Sequence, residues 1–434
     1  MKAETIILGG GVTGLSAGMA SGAPVYEASE SPGGICASYY VRPGDTRRLA
    51  APPADGDAYH FEIGGGHWIF GGDPAVVRLI NDLAPCKQSA RISSVYLHET
   101  GRFVPYPLQN NLRHLDAPTV ERALAEIAAG GVGGPTMKAW LEASFGATLG
   151  ELFFGPFHAL YTAGLYDRIA PQDAYKSPVD RRLVEQGARG AAPAVGYNVT
   201  FLYPEEGLDA LARRMATRVD VRYGKRVVGI DPAGREVRFA DGSVTPYRRL
   251  LSTLPLNETC ALAGIAVDAP ADPHTAVLVL NVGAVKGSAC PADHWLYNCR
   301  TKAGFHRVGF YSNVDAAFLP RSKQDRVSIY VERAFEGGTT LPAGEIEAYG
   351  RAVVAELQDW DFIREAEVVD PTWIDVAYTW AWPGSRWRGL AMGALEARDI
   401  FPVGRYGRWV FQGIADSIRD GLYVGGALRD HAEA

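Results

Sequence analysis

The chain is poor in cysteine and lysine and has no long apolar run. Its five cysteines, Cys36, Cys86, Cys260, Cys290 and Cys299, are scattered over 434 residues with no C-x-x-C pair and no histidine at ligand spacing. A dispersed, odd-numbered set excludes a disulfide scaffold, argues against a metal site and fits a reducing, cytoplasmic compartment. The longest apolar stretch, around residues 276–285, is broken by Asn281 and is far too short to span a bilayer. Residues 5–8 run straight into glycines, which leaves no room for a signal peptide. Neither membrane attachment nor secretion is expected. Only 8 of the 43 basic residues are lysine, so arginine is common and one arginine at a useful position is weak evidence. The net charge of -6, with no basic block, gives no reason to expect nucleic acid. Also missing are G-x-x-x-x-G-K-[ST], H-E-x-x-H and G-x-S-x-G, so phosphoryl transfer, zinc proteolysis and serine hydrolysis have no motif behind them.

The composition, 47% apolar and 21% charged, is that of a globular protein of two or three domains. The clearest signal is at the start. A β-branched and leucine run, Thr5-Ile6-Ile7-Leu8, leads into Gly9-Gly10-Gly11-Val12-Thr13-Gly14 and a run of small residues. A second short strand, Pro24-Val25-Tyr26, then ends in Glu27, followed by Gly33-Gly34. Strand, glycine turn, helix, strand and acid make the opening of a dinucleotide-binding unit. Gly9 lets the strand turn sharply, Gly11 lets the backbone approach a pyrophosphate, and Gly14 lets the helix pack on the strand. Glu27 can accept from ribose hydroxyls, and the helix N-terminus faces the anion.

Further along, an alternating strand at 59–63 runs into Gly64-Gly65-Gly66-His67, where successive glycines predict a flexible loop. Residues 74–84, 118–129 and 136–145 have helical spacing, and the stretch from 74 to 195 reads as mostly helical. Residues 220–230 and 236–254 alternate around Asp241-Gly242, a hairpin signal. Strand patterns at 276–282, 307–311 and 327–332 predict a sheet that carries aromatics. Near the C-terminus, Gly413-Ile414-Ala415-Asp416-Ser417 leads into a helix over 418–428.

These stretches together resemble the UDP-galactopyranose mutases, especially those of eukaryotic type, within the amine-oxidase and protoporphyrinogen-oxidase-like superfamily of flavoproteins. The superfamily likeness rests on the first 34 residues and on Val227-Val228-Gly229-Ile230 with its hairpin. The mutase likeness rests on Gly65-Gly66-His67-Trp68-Ile69-Phe70, Arg91-Ile92-Ser93, Val104-Pro105-Tyr106-Pro107-Leu108-Gln109-Asn110-Asn111 and Trp295-Leu296-Tyr297. It continues in Phe305-His306-Arg307, Tyr311-Ser312-Asn313 and Gly404-Arg405-Tyr406-Gly407-Arg408-Trp409.

The resemblance implies an α/β fold in three parts. A discontinuous Rossmann-like FAD-binding domain would take residues 1–73, 196–260 and 400–434, a helical domain 74–195, and a mixed β-sheet substrate domain 261–399. FAD would be held through Gly9, Gly11, Gly14, Glu27, Gly33, Gly34, Gly66, His67, Val228, Asp416 and Ser417. His67 would lie against the isoalloxazine and Arg307 on the diphosphate as catalytic groups. Tyr106, Leu108, Gln109, Trp295, Tyr297, Arg307, Trp382 and Arg408 would bind substrate. In such mutases the reduced flavin N5 attacks the anomeric carbon, and the sugar recloses as a furanose without net redox change. The partners implied are a nucleoside-diphosphate sugar and a reductant such as NAD(P)H or a reductase.

The likeness also has gaps. The family's second diphosphate arginine falls near Ser177-Pro178-Val179, where none stands, although Arg181 and Arg182 are close. Val410 replaces the arginine expected after Trp409. His158 and Thr162 stand where the family has asparagine and tryptophan, and Trp382 where it has a tyrosine. The competing expectation is an FAD-dependent oxidase or desaturase acting on another small molecule, and a third is a flavin-binding protein whose catalysis has lapsed.

Overall fold

The computed structural model describes residues 5–131, 133–172, 180–196 and 198–429. Thr5–Leu8 is buried at every residue and sits in the middle of a five-stranded sheet. The strand order is Ile400–Pro402, Arg249–Ser252, Thr5–Leu8, Val25–Tyr26, Val221–Arg222, and every pairing is parallel. Parallel strands are covered on both faces, which is why the central strand Thr5–Leu8 is a short buried run without alternation. Strands from the beginning, middle and end of the chain thus meet in one sheet.

On this sheet the helix Val12–Ser21 lies along the helix Ile414–Ala427. A Cβ at Gly421 would come within 2.1 Å of Ser16 Oγ, and one at Gly425 within 2.4 Å of Ala17 O. The two helices run in the same direction, Ser16 matching Gly421 and Ala17 matching Gly425. Glycine therefore brings two helix N-termini to one place. Beside this unit, Val227–Asp231, Glu236–Phe239 and Val244–Pro246 form an antiparallel ribbon whose second turn carries Asp241-Gly242, with Gly242 at φ +83°.

The second sheet has seven strands, in the order Ile363–Thr379, His274–Lys286, Arg326–Glu336, Arg307–Phe310, Trp295–Asn298, Ser93–Leu97, Arg102–Pro105. The last two fall inside the stretch expected to be mostly helical. Ser93–Leu97 pairs in parallel with Trp295–Asn298, some 200 residues away, and no local pattern announces a partner at that distance. The helical expectation holds further on, in Ala117–Ala129, Met137–Leu149 and Gly155–Tyr161. Gly146 at φ +75° kinks this run, and Phe145 stacks on Phe154 at 3.9 Å to fill the bend. Among the described residues, no helix is long and apolar enough to cross a membrane.

Candidate active site

One cavity of about 870 Å³ runs from the parallel sheet to the face of the seven-stranded sheet, at the upper end of small-molecule sites. Its floor is the glycine turn. Gly9 has φ +96°, and a Cβ there would strike Thr253 Oγ1 at 2.2 Å. Gly14 does not line the cavity. A Cβ on it would lie 1.9 Å from the Gly9 carbonyl oxygen, so its role is helix-on-strand packing. At Gly11 a Cβ would meet nothing closer than 3.9 Å, because it would project into the cavity.

Glu27, at the end of the Val25–Tyr26 strand, is 9% exposed and lines the same floor. Gly10 N–H donates to its Oε2 at 2.6 Å, and Ser29 N–H and O–H donate to its Oε1 at 2.8 and 2.5 Å. A carboxylate accepts about four hydrogen bonds, so roughly one position remains for a ribose hydroxyl. Gly33 and Gly34, both at positive φ, complete the floor, together with Gly413, Asp416 and Ser417 at the start of the C-terminal helix. The two helix N-termini concentrate backbone N–H groups and positive dipole ends on one cavity. The glycine backbone at Gly11, the two helix N-termini and the remaining acceptor on Glu27 fit the pyrophosphate and ribose of FAD. Val228 departs from expectation. It is 55% exposed on an irregular stretch of its ribbon and does not line the cavity.

His67 enters the cavity from the glycine loop. Its Nδ1 lies 3.1 Å from Gly65 O. A carbonyl only accepts, so Nδ1 carries the proton and Nε2 is left as an acceptor. Burial pulls its pKa down to about 4, outweighing the Gly65 carbonyl and Glu332, and the imidazole is neutral near pH 7. The loop is closely packed. A Cβ on Gly64 would come within 2.6 Å of the His67 ring and 2.7 Å of Ile35 O, and one on Gly66 within 2.3 Å of the Tyr330 ring. Close packing is thus a second reason for these glycines, beside the backbone freedom expected of them.

At the far end, register builds a row on one sheet face. Tyr297 pairs with Arg307 across one strand boundary, and Arg307 with Glu332 across the next; directly opposed residues share a face. Arg307 Nε donates to Glu332 Oε2 at 2.9 Å and Nη2 donates to Oε1. Burial alone would push the Glu332 carboxyl up, but the Arg307 guanidinium, with His306 beside it, holds it down to about 2. His306 is 2% exposed, with Nε2 3.5 Å from Glu332 Oε2. Tyr106 and Tyr297 lie 4.6 Å apart, and Phe153, Phe154, Phe157, His158, Tyr161 and Tyr378 complete the aromatic walls.

The structure corrects several expected substrate contacts. Leu108 is fully buried in the helical core, and Gln109, 1% exposed, does not line the cavity. Trp295 is buried behind Phe70, the residue that does face the space. Trp382 turns its ring N–H to Ala271 O at 2.9 Å, outside the cavity. Arg408 pairs with Asp420 at 3.0 Å and does not reach the cavity, nor do Arg181 and Arg182. Ser177-Pro178-Val179 lies outside the described residues.

In place of Arg408 the structure puts Arg405 in the cavity wall. Its Nη1 donates to Gln412 O at 3.0 Å and its Nη2 to Ala377 O at 3.2 Å, and it packs over Phe411 and Tyr378. No carboxylate pairs with it among the described residues. Arg405 stands in the same Gly404–Trp409 motif, so the signal was present; which arginine of the pair turns inward was not.

The family model for flavin containing amine oxidoreductases matches residues 23–276. Among solved structures, a reduced UDP-galactopyranose mutase superposes with a TM-score of 0.84 at 19% identity, covering 98% of this chain and 93% of that one. A CLA-producing fatty acid isomerase from P. acnes gives 0.61 at 14%, covering 98% of each chain. Putrescine oxidase bound to putrescine gives 0.61 at 16%, covering 99% of each. At these identities the likenesses establish the fold, an amine-oxidase-like FAD-binding fold with a parallel sheet and a mixed sheet. The family match covers more than half of the chain, and its cofactor fits the cradle: the chain belongs to the flavin containing amine oxidoreductase family, and FAD is its cofactor.

Proposed function

We propose that the protein is an FAD-dependent nucleotide-sugar mutase, interconverting pyranose and furanose forms of a sugar with its flavin reduced by NAD(P)H or a reductase. The observation that carries this reading is the set of groups that line one cavity: FAD cradle, His67, the two arginines Arg307 and Arg405, and the tyrosine pair Tyr106 and Tyr297. Bound flavin supplies the electron-rich centre that exchanges the sugar's leaving group. The protein's own residues hold the rest. Tyr106 and Tyr297 offer flat faces to a nucleobase. Arg307, its plane fixed by Glu332, presents its remaining nitrogen Nη1, and Arg405 adds an uncompensated charge for a diphosphate. The aromatic walls exclude water, and neutral His67 offers Nε2 toward the flavin.

Titration of UDP, GDP and dTDP into oxidised and reduced protein tests the reading. Binding to the reduced form, with turnover that consumes no oxygen, is expected; no detectable binding of any of the three in either state would sink it. One observation favours a second reading, an FAD-dependent oxidase: Phe153, Phe157, Tyr161 and Tyr378 give the cavity an aromatic wall, a setting that also suits a neutral, apolar small molecule. Net flavin reduction by substrate, with peroxide formed, is the outcome that would establish it.

A prediction for His67 follows from its single remaining ring acceptor. His67→Ala should retain FAD and lose turnover on the order of 100-fold, the usual scale for removing one preorganised polar group from a reaction site. Unchanged turnover would make His67 a packing residue.

A further inference from the structure

Glu62 is the last residue of the Tyr59–Glu62 strand and is 0% exposed. It is five residues before His67, and both of its carboxyl oxygens are engaged. Tyr203 O–H donates to Oε1 at 2.6 Å, and the backbone N–H of His67 donates to Oε2 at 3.3 Å. Its own carbonyl accepts from Asn281 Nδ2 at 2.9 Å. A carboxyl group therefore closes the glycine turn from below, on the side away from the cavity.

Among the described residues no lysine or arginine pairs with it. Tyr203 faces it from the Thr200–Pro204 strand, Asp209 from the Leu208–Ala216 helix, Cys36 from the turn after Gly34, and Tyr311 from the short helix at 311–314. Asp209 is paired with Arg213, the cation of that helix that faces this region. Every ionisable group around Glu62 is thus neutral or acidic, apart from an arginine already held.

We propose that Glu62 is a positioning residue that ties the seat of His67 in the flavin cavity to the uptake and release of one proton. The proposal rests on His67 facing the flavin, as in the functional reading above. An ionised carboxylate accepts a hydrogen bond more strongly than a neutral carboxyl, so proton loss draws the His67 backbone down and proton uptake releases it. Burial, opposed by the Tyr203 and His67 hydrogen bonds, pushes the Glu62 pKa up to about 8. The neutral form therefore holds below that pH and the charged form above it. The loop packs against Ile35 and Tyr330, and the His67 N–H and its ring share one Cα, so a shift of that backbone is passed to the imidazole.

The test compares FAD-loaded wild type with Glu62→Gln, which keeps the shape and a hydrogen-bond acceptor but cannot titrate. Wild type should show an infrared band of a protonated carboxyl that disappears as pH rises through about 8, and Glu62→Gln should lack it. Flavin absorbance should shift over the same range in wild type and stay flat in the variant. Tyr203→Phe, which removes a hydrogen bond favouring the charged form, should move the midpoint upward; an unmoved midpoint counts against the proposal. Absence of the carboxyl band from wild type would overturn the proposal, as would identical flavin titrations in wild type and Glu62→Gln. Loss of turnover in His67→Ala and binding of nucleotides are separate readouts. Failure of nucleotide binding would remove the mutase reading and leave the carboxyl titration standing.

Discussion

Gly11→Leu should give a folded, colourless protein. The cradle is ready-made in the backbone: a Cβ at Gly11 would have Gly33 O, at 3.9 Å, as its nearest neighbour, an ordinary contact that leaves the rest of the side chain to enter the cavity that Gly11 lines and to fill the space that the pyrophosphate of FAD must enter. Gly14→Ala should do the reverse. Its new methyl would sit 1.9 Å from the Gly9 carbonyl oxygen, and the helix must lift from the strand, at the cost of about 1–3 kcal/mol or more typical of overpacking. Thermal melting by circular dichroism and flavin absorbance after reconstitution separate the two. Gly11→Leu should melt near wild type with FAD affinity reduced beyond detection. Gly14→Ala should melt markedly lower. A yellow Gly11→Leu protein with wild-type affinity would place the pyrophosphate elsewhere.

The cofactor end was legible because it is local. Gly9, Gly11, Gly14 and Glu27 lie within one strand, turn, helix and strand, and the chemistry that demands each of them acts within a few residues in sequence. The substrate end depends on register between distant strands. Tyr297, Arg307 and Glu332 become one row only when three strands pair as they do, and nothing near Glu332 in the chain says that Arg307 will face it. The same limit explains Trp295, two residues from Tyr297 and on the same face, yet covered by Phe70 from the glycine loop. It explains Arg405 and Arg408 as well. Three residues apart in one motif, they are sorted by Asp420 on the C-terminal helix, which takes the Gly404 N–H and the Arg408 side chain and leaves Arg405 to the cavity. The glycines before His67 were visible, but their cause was not: the Tyr330 ring that requires Gly66 comes from the middle of the other sheet.

Glu332→Ala should be among the most damaging substitutions in the cavity, for stability as well as for function. Glu332 is 2% exposed, whereas the Arg307 side chain keeps 21% of its surface open at the cavity, so removing Glu332 leaves an uncompensated, partly solvated charge in the wall, a loss below the roughly 3–5 kcal/mol of a fully buried pair. The same pair predicts an acid limb. The Glu332 carboxyl titrates at about 2 in the fold against 4.5 for the free group. A depressed carboxylate stabilises the fold fully above its unfolded value, so this contribution is present above about pH 4.5 and fades as pH falls toward 2. Wild type should therefore lose stability over that window more steeply than Glu332→Gln, which has no proton to take up there. Melting temperatures of both proteins across the acid range check it, and parallel curves would mean that the pair is not formed in solution. The pair also decides how anion binding must be probed. Arg307→Ala would strip Glu332 of its partner, so weaker nucleotide binding in that variant mixes a lost contact with a disturbed wall. Arg405→Met removes the charge that has no carboxylate partner among the described residues and keeps an apolar stem over Phe411 and Tyr378. It should weaken nucleoside-diphosphate binding by roughly 10-fold to 100-fold, the scale of one charge-assisted hydrogen bond, with a modest fall in melting temperature from the loss of its hydrogen bonds to Gln412 O and Ala377 O. Binding that survives Arg405→Met intact would leave Arg307, already half spent on Glu332, as the one arginine or lysine for a diphosphate among the described residues that line the cavity, and would turn the balance toward a neutral substrate.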